Sequence, residues 1–155
     1  MARLAVKDPA LRWPFERSIF AACTFNFGPR VSTCPHLDFG NLAWGWCAIT
    51  ALGSFDADRG GHLILWDLKM VIRFPAGATI LIPSAILRHS NVPVQHHETR
   101  RSFVQYTAGG LFRWVRNGFM TDEDFDRVAS EAEKLARAAE ANRRWEEGVN
   151  MYDVL

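Results

Sequence analysis

Short apolar runs that alternate with turn-forming residues occupy most of the sequence before residue 107. Gly, Pro and Asp residues interrupt these runs at short intervals, and no helical periodicity intervenes. Many short strands at close spacing are typical of β-sandwiches, jelly rolls and barrels. The sequence therefore predicts a mainly β fold, with strands in the runs SIFAACTFNF, WGWCAITALG, HLILWDL, KMVIRF, ATILIPSAIL, SNVPV and RRSFVQYTA.

The tail of the sequence has a helical pattern instead. Thr121 is a suitable N-cap, acidic residues follow it in the first turn, and Gly148 is a suitable stop. We therefore predict one C-terminal α-helix that serves packing or interaction. Its apolar residues recur at steps of three and four: Phe125, Val128, Ala132, Leu135 and Ala139.

The length of 155 residues fits one domain with a substantial core. Residues 1–17 are interrupted by two prolines, and we predict a loosely ordered lead-in there. The predicted β domain spans residues 18–120, and the C-terminal helix and tail span residues 121–155.

Charge and cysteine content restrict the classes of function. A net charge of +1 gives no strong electrostatic signature of a nucleic-acid or membrane-surface protein. The three cysteines form no CxxC pair, which argues against a disulfide framework or a zinc–cysteine site and favours a reducing compartment. No apolar run approaches the roughly 20 residues of a membrane helix. We expect an intracellular, nuclear protein without a membrane partner.

A histidine and an aspartate two residues apart, His36 and Asp38, lie among aromatic and small apolar residues. In an extended segment, residues two apart point to the same side, so both side chains can face one metal ion. His89 directly follows a strongly apolar run and is the best candidate for a third ligand. Two histidines and one carboxylate on one face form the facial triad of non-haem Fe(II) oxygenases. We predict that these three residues are catalytic metal ligands.

2-Oxoglutarate is a co-substrate that chelates such iron through its keto-acid end. Its other carboxylate, far from the iron, then needs a cation from the protein. Arginine is preferred for the distant carboxylate because its planar guanidinium binds carboxylates in bidentate fashion. Arg100 begins the run RRSFVQYTA, across a turn from the segment that contains His89, and Ser102 shares its side of a strand. We predict that Arg100 and Ser102 bind the co-substrate. Arg101 is the rival anchor, although its side chain should point to the opposite face.

Several other residues have more than one interpretation. Asn26 either contacts the co-substrate or caps a turn. Trp44, Trp46 and Trp66 either stack on a substrate base or pack in the core. Some arginines either contact phosphates or are simply solvated: Arg88, Arg101, Arg113 and Arg116.

The order of these motifs resembles the 2-oxoglutarate/Fe(II) dioxygenase superfamily. HxD is followed by GGHL, where members of the superfamily have GGxL, then by GATILIPSAILRHSNVPV and RxS. More narrowly, two segments are similar to TET/JBP-type members of mushroom-forming fungi, often found beside transposons: TFNFGPRVSTCPHLDFGNLAWGWCAITALGSFDADRGGHLILWDL and FPAGATILIPSAILRHSNVPVQHHETRRSFVQYTAGGLFRWVRNGF. The resemblance covers about residues 20 to 120.

The resemblance implies a double-stranded β-helix, or jelly roll, with Fe(II) at His36, Asp38 and His89 and the 2-oxoglutarate carboxylate on Arg100. It also implies oxidation of a methyl group by dioxygen, in this branch the 5-methyl group of a pyrimidine such as 5-methylcytosine in DNA. Two other interpretations remain: a non-catalytic, transposon-associated jelly-roll binding protein with a vestigial metal site, and a cupin-like protein that uses another metal.

Overall fold

The structure is a computed structural model that describes residues 2–151. Residue 1 of the predicted lead-in and residues 152–155 of the predicted tail lie outside the described residues. The predicted mainly β class is confirmed. The regular elements are, in chain order, α1 (Ala2–Lys7), β1 (Ala22–Asn26), β2 (Cys47–Ser54), β3 (Leu63–Leu65), β4 (Met70–Ile72), β5 (Thr79–Ile82), β6 (His89–Asn91), β7 (Thr99–Tyr106), α2 (Gly109–Arg116), α3 (Asp122–Val128) and α4 (Glu131–Val149).

The strands form two antiparallel sheets. The larger sheet has the order β1-β7-β2-β5, and the smaller sheet has the order β4-β3-β6. β7 is the last strand along the chain, yet it lies between β1 and β2. The larger sheet is therefore complete only when both ends of the β region meet, and residues distant in sequence become neighbours.

The core lies between the two sheets. Along β2, the alternate residues Cys47, Ile49 and Ala51 belong to the core cluster, as the alternation of side chains in a strand predicts, and Ala48 between them is also buried. They pack with Leu63 and Leu65 of β3, and each fully buried aliphatic side chain of this size contributes about 1.5–3 kcal/mol. The inward faces of both sheets therefore share one apolar cluster, at whose edge the polar residues of the candidate site lie.

Each predicted apolar run overlaps a strand, but the strands are shorter. The runs HLILWDL and KMVIRF form the hairpin β3–β4, whose turn ends at Lys69 with a φ of 53°. The run ATILIPSAIL is a strand only as far as Ile82, because Pro83 has no amide hydrogen for a ladder. Instead, the carbonyl of Pro83 accepts hydrogen bonds from the amides of Ile86 and Leu87, which makes a turn beside the candidate site.

The predicted single tail helix is two helices. Thr121 is the N-cap of α3, since its side chain accepts a hydrogen bond from the amide of Asp124 at 3.0 Å. The chain then becomes extended, and Ser130 begins α4 through a reciprocal capping box with Glu133. Gly148 does not end the helix. It lies in the last turn, where an added Cβ would approach Trp44 to 2.9 Å, so close packing explains this glycine.

The apolar residues spaced at three and four in the tail correctly predicted helix, but they do not form a buried face that packs against the core. The side chain of Leu135 is 71% exposed, and Val128 is also exposed. Two further helices, α1 and α2, were not predicted. α1 lies in the predicted lead-in, and its Leu4 is buried.

Within residues 2–151, no helix combines the length and the apolar character that crossing a membrane would require.

Gly53 should be intolerant of a side chain. It has a φ of 121°, and an added Cβ would lie 2.3 Å from the carbonyl oxygen of Thr99 on β7. Gly53→Ala is expected to lower the free energy of unfolding by about 3 kcal/mol, because backbone strain and a backbone clash add. Gly77 also has a positive φ but open space around it, so Gly77→Ala should lower the free energy by only about 1 kcal/mol. Urea denaturation measures both values, and equal losses would contradict the close approach of β2 to β7.

Candidate metal centre

A reciprocal backbone bridge brings His36 and His89 together. The amide of each residue donates to the carbonyl of the other at 3.0 Å, which makes them a hydrogen-bonded antiparallel pair. Side chains of such a pair project from the same side of the ladder. Their rings accordingly lie with centroids 4.4 Å apart. The segment that contains His36 is thus an additional edge of the smaller sheet, beside β6.

Asp38 completes a compact group of three possible ligands. Its amide donates to the carbonyl of Ser84 at 3.0 Å, which holds the segment against the turn after β5. Its carboxylate oxygens lie 3.5 Å from Nε2 of His36 and 4.0 Å from Nε2 of His89. One ligand atom from each of the three residues lies within 4.8 Å of the other two. Bonds of about 2.0–2.2 Å to a single ion require separations of roughly 3–4 Å, so only small side-chain movements are needed.

Both histidines present the same ring nitrogen to the centre. Nδ1 of His36 lies 2.8 Å from the carbonyl oxygen of Cys34, and Nδ1 of His89 lies 2.9 Å from that of Leu87. A carbonyl oxygen can only accept, so each Nδ1 carries the hydrogen. Each Nε2 is left with its lone pair directed at the other ligands. This is the outer support that orients histidine ligands in metal sites.

Burial favours the neutral form of His89. The residue is 4% exposed, and desolvation lowers the pKa of its imidazole, against a smaller opposite effect of the hydrogen bond to Leu87. Neutral imidazole is the form that binds metal ions. His89 is therefore kept in its ligand form without a metal to displace its proton.

Two polar residues that sequence reasoning missed support the carboxylate. Nδ2 of Asn41 lies 3.4 Å from Asp38 Oδ2 and donates to Ser84 Oγ at 3.1 Å. Ser84 is almost completely buried. The spacing of Asn41, three residues after Asp38, was the available signal, whereas Ser84 becomes a neighbour only through the fold.

The three candidate ligands and the predicted anchor line one cavity of about 410 Å³. Arg100 and Ser102 enter it from β7, as their spacing of two predicts, while Arg101 is exposed and does not line it. Asn26, at the end of β1, lines the same cavity and donates to Ser102 Oγ at 2.9 Å. The structure thus brings the three candidate ligands together with Arg100 and Ser102, and it leaves the rival anchor Arg101 outside the cavity.

Arg100 is a buried cation without a carboxylate partner in the part of the chain that the structure describes. It is 2% exposed, and its Nη1 donates to the carbonyl of Val31 at 3.2 Å. Its Nε is buried without a hydrogen-bond partner, and no ion pair of Arg100 exists among residues 2–151. Desolvation lowers the pKa of the guanidinium, but arginine stays charged in proteins. An uncompensated buried charge is costly, so the cavity is suited to an anionic ligand.

None of the three tryptophans considered as stacking residues lines this cavity. Trp66 donates from Nε1 to Ser90 at 3.0 Å, and Trp44 packs against Gly148. The aromatic side chains that line the cavity beside the two histidines are instead Tyr106 and Phe39, and Phe39, which follows Asp38, is 84% exposed. The sequence offered no signal to prefer Phe39, because its exposure depends on the fold.

No known protein-family model matches the sequence, and a search of curated proteins finds no match. The functional interpretation therefore rests on the geometry of the site and on the order of the motifs.

Removal of one ligand should abolish tight metal binding. His36→Ala is expected to lower the affinity for Co(II), a spectroscopic substitute for Fe(II), by at least about 100-fold, because two ligands remain of three. His97→Ala is the matched control, since His97 is exposed and lies outside the cavity. Titration followed by Co(II) absorption measures both affinities. Equal effects of the two substitutions, or no Co(II) binding by the unaltered chain, would reject this metal centre.

Proposed function

We propose that this chain is an Fe(II)- and 2-oxoglutarate-dependent dioxygenase with a double-stranded β-helix domain at residues 18–120. The observation that carries the proposal is that two histidines and one carboxylate line the same cavity as Arg100, a buried arginine with no ion pair among residues 2–151. Two antiparallel sheets around a common core support the jelly-roll assignment. The order of HxD, distal histidine and RxS supports membership of the superfamily.

The metal would be held by Nε2 of His36, Nε2 of His89 and the carboxylate of Asp38. Three protein ligands on one face leave about three coordination positions for co-substrate and dioxygen. When bound, Fe(II) and 2-oxoglutarate together supply the oxidising chemistry, in which dioxygen converts 2-oxoglutarate to succinate and carbon dioxide and delivers its other oxygen atom to the substrate. The chain itself supplies orientation and a sheltered cavity.

Charge complementarity supports a dicarboxylate co-substrate. A divalent ion bound to a single carboxylate keeps excess positive charge, and Arg100 adds another buried positive charge in the same cavity. A dianion with one end at the metal and one at Arg100 offsets both. Because Asn26 donates to Ser102 Oγ, the hydroxyl hydrogen of Ser102 is free to donate to that distant carboxylate. Ile49, Leu63 and Val104 line the cavity as apolar residues and limit its water content.

We further propose that the substrate carries an oxidisable methyl group, such as that of 5-methylcytosine in DNA, which agrees with a nuclear location. The exposed ring of Phe39 at the cavity is suited to stacking on a planar base. Phe39 also lines an adjoining cavity of about 260 Å³, and arginine side chains there are suited to phosphate contacts. A base in a duplex would have to be flipped out, at a cost of a few kcal/mol. The arginines of the adjoining cavity are Arg113, Arg116 and Arg144.

Co-substrate binding provides a test of the anchor. Anaerobic addition of Fe(II) and 2-oxoglutarate should produce a weak visible charge-transfer band, and His89→Ala should abolish it. Arg100→Ala should weaken 2-oxoglutarate binding by about 100-fold, with much less effect on Fe(II), because it removes the buried cation for the distant carboxylate. Arg101→Ala is the matched control on the opposite face of β7. If Arg101→Ala, and not Arg100→Ala, weakens 2-oxoglutarate binding, then Arg101 is the anchor and Arg100 is not. Fe(II) binding without any preference for 2-oxoglutarate would favour a cupin-like protein.

Turnover tests the enzyme class and the substrate separately. We expect succinate release from 2-oxoglutarate, and mass spectrometry should detect an oxidised methyl group in methylated DNA but no product in unmethylated DNA or RNA. Succinate without base oxidation would keep the enzyme class and reject the substrate. If succinate, the oxidised methyl group and the charge-transfer band are all absent, the result would favour the non-catalytic jelly-roll binding protein.

A further inference from the structure

The segment at residues 31–36, which we call the crossing segment, connects the two sheets across the wall of the cavity. At its beginning the amide of Val31 donates to the carbonyl of Arg100 at 2.9 Å, in the larger sheet. At its end His36 forms the reciprocal bridge with His89 in the smaller sheet. Between these anchors the segment has no ladder partner, so its backbone groups need hydrogen bonds from elsewhere.

The side chain of Asn91 provides them. Asn91 lies on β6 two residues after His89, on the same side of the strand, and is 8% exposed. Its Oδ1 accepts hydrogen bonds from the amide of Thr33 at 3.1 Å and from the hydroxyl of Thr33 at 3.0 Å. Its Nδ2 donates to the carbonyl of Val31 at 3.2 Å. The buried amide of Asn91 thus holds the crossing segment at its first residue, Val31, and at Thr33.

The same carbonyl also orients the anchor. The carbonyl oxygen of Val31 accepts from Nη1 of Arg100 at 3.2 Å, the same distance as from Asn91. A carbonyl oxygen with two lone pairs can accept both bonds. The position of the Arg100 guanidinium is therefore tied to Asn91 through Val31, and the position of His36 is tied to Asn91 through Thr33.

We propose that Asn91 is a positioning residue that aligns the metal centre with the anion anchor by holding the crossing segment. This role rests on the proposed function. Asn91 lines the cavity, but in that scheme it is not one of the residues that hold the metal or the co-substrate, and it acts on both through other residues. An amide suits this position because it presents an acceptor to Thr33 and a donor to Val31 from two different atoms.

Aspartate has nearly the same shape but lacks the donor, so it separates the two connections. Asn91→Asp keeps an acceptor for Thr33, turns the contact with the Val31 carbonyl into a repulsion, and adds a negative charge near the guanidinium of Arg100. That charge would compete with the co-substrate carboxylate. Asn91→Ala removes both connections at once. The two variants should therefore affect the metal and the co-substrate differently.

The experiment measures Co(II) affinity, 2-oxoglutarate affinity in the presence of Co(II), and amide hydrogen exchange of the crossing segment. Asn91→Ala should weaken Co(II) and 2-oxoglutarate by about tenfold each, the scale of outer supports in metal sites. Asn91→Asp should weaken 2-oxoglutarate by more than about tenfold and Co(II) by less than about threefold. Asn91→Ala should accelerate exchange at the amide of Thr33, with or without ligands.

Asn117→Ala is the matched control. Asn117 is also buried and donates from its side chain, to Asp122 at 2.9 Å, but it ends α2 and does not line the cavity. It should leave both affinities and the exchange at Thr33 within about twofold of the unaltered chain. If Asn117→Ala and Asn91→Ala have the same effects, the role of Asn91 is general stability and the proposal is wrong.

The outcomes separate this inference from the proposed function. If the unaltered chain binds neither Co(II) nor 2-oxoglutarate, the proposed function fails, and exchange at Thr33 still decides whether Asn91 holds the crossing segment. Unchanged exchange at Thr33 in Asn91→Ala would overturn the inference even if the unaltered chain is an active dioxygenase. Equal losses of 2-oxoglutarate and Co(II) affinity in Asn91→Asp would overturn the link from Asn91 to Arg100.

Discussion

The backbone bridge between His36 and His89 is the interaction on which the candidate site depends. It joins a segment that follows β1 to β6, a strand that precedes β7, at the edge of the smaller sheet. Two hydrogen bonds of 3.0 Å determine the register, and the register determines that both imidazoles project from the same side. A slip of one residue would turn one of them away. In each ring, Nδ1 donates a hydrogen bond to a local backbone carbonyl, and this leaves Nε2 facing the other ligands.

The cavity holds a buried guanidinium that lowers the stability of the folded state, next to a cluster of residues suited to a ligand. Arg100 is buried without a counter-ion among the described residues, and part of its guanidinium has no hydrogen-bond partner. Such a group would be selected against in a purely structural core, where an apolar side chain of similar volume is at least as stable. Its presence beside a cluster of two histidines and one carboxylate is therefore better explained by an anionic ligand than by folding.

Sequence patterns predicted the kind of each element more reliably than its surroundings. Alternation and turn residues indicated the strands, and capping residues indicated helix starts at Thr121, because these signals act within a few residues. Ser130 is a second N-cap, and it begins α4 where the apolar periodicity had suggested one continuous helix. α2 begins with Gly109 and Gly110, which are poor helix formers, so its helix follows from the fold rather than from propensity. Leu135 shows that periodicity does not guarantee burial.

The sequence by itself determined which side chains share a side: His36 with Asp38, and Arg100 with Ser102, because a strand repeats every two residues. It also supplied the residue types of a metal site and of an anion anchor. Only the tertiary structure decided that these two pairs line one cavity, that Arg100 has no counter-charge within residues 2–151, and that Asn91 holds the segment between them. The reason is physical, since these relations come from pairings between strands far apart in the chain, and no local pattern encodes which strands will pair.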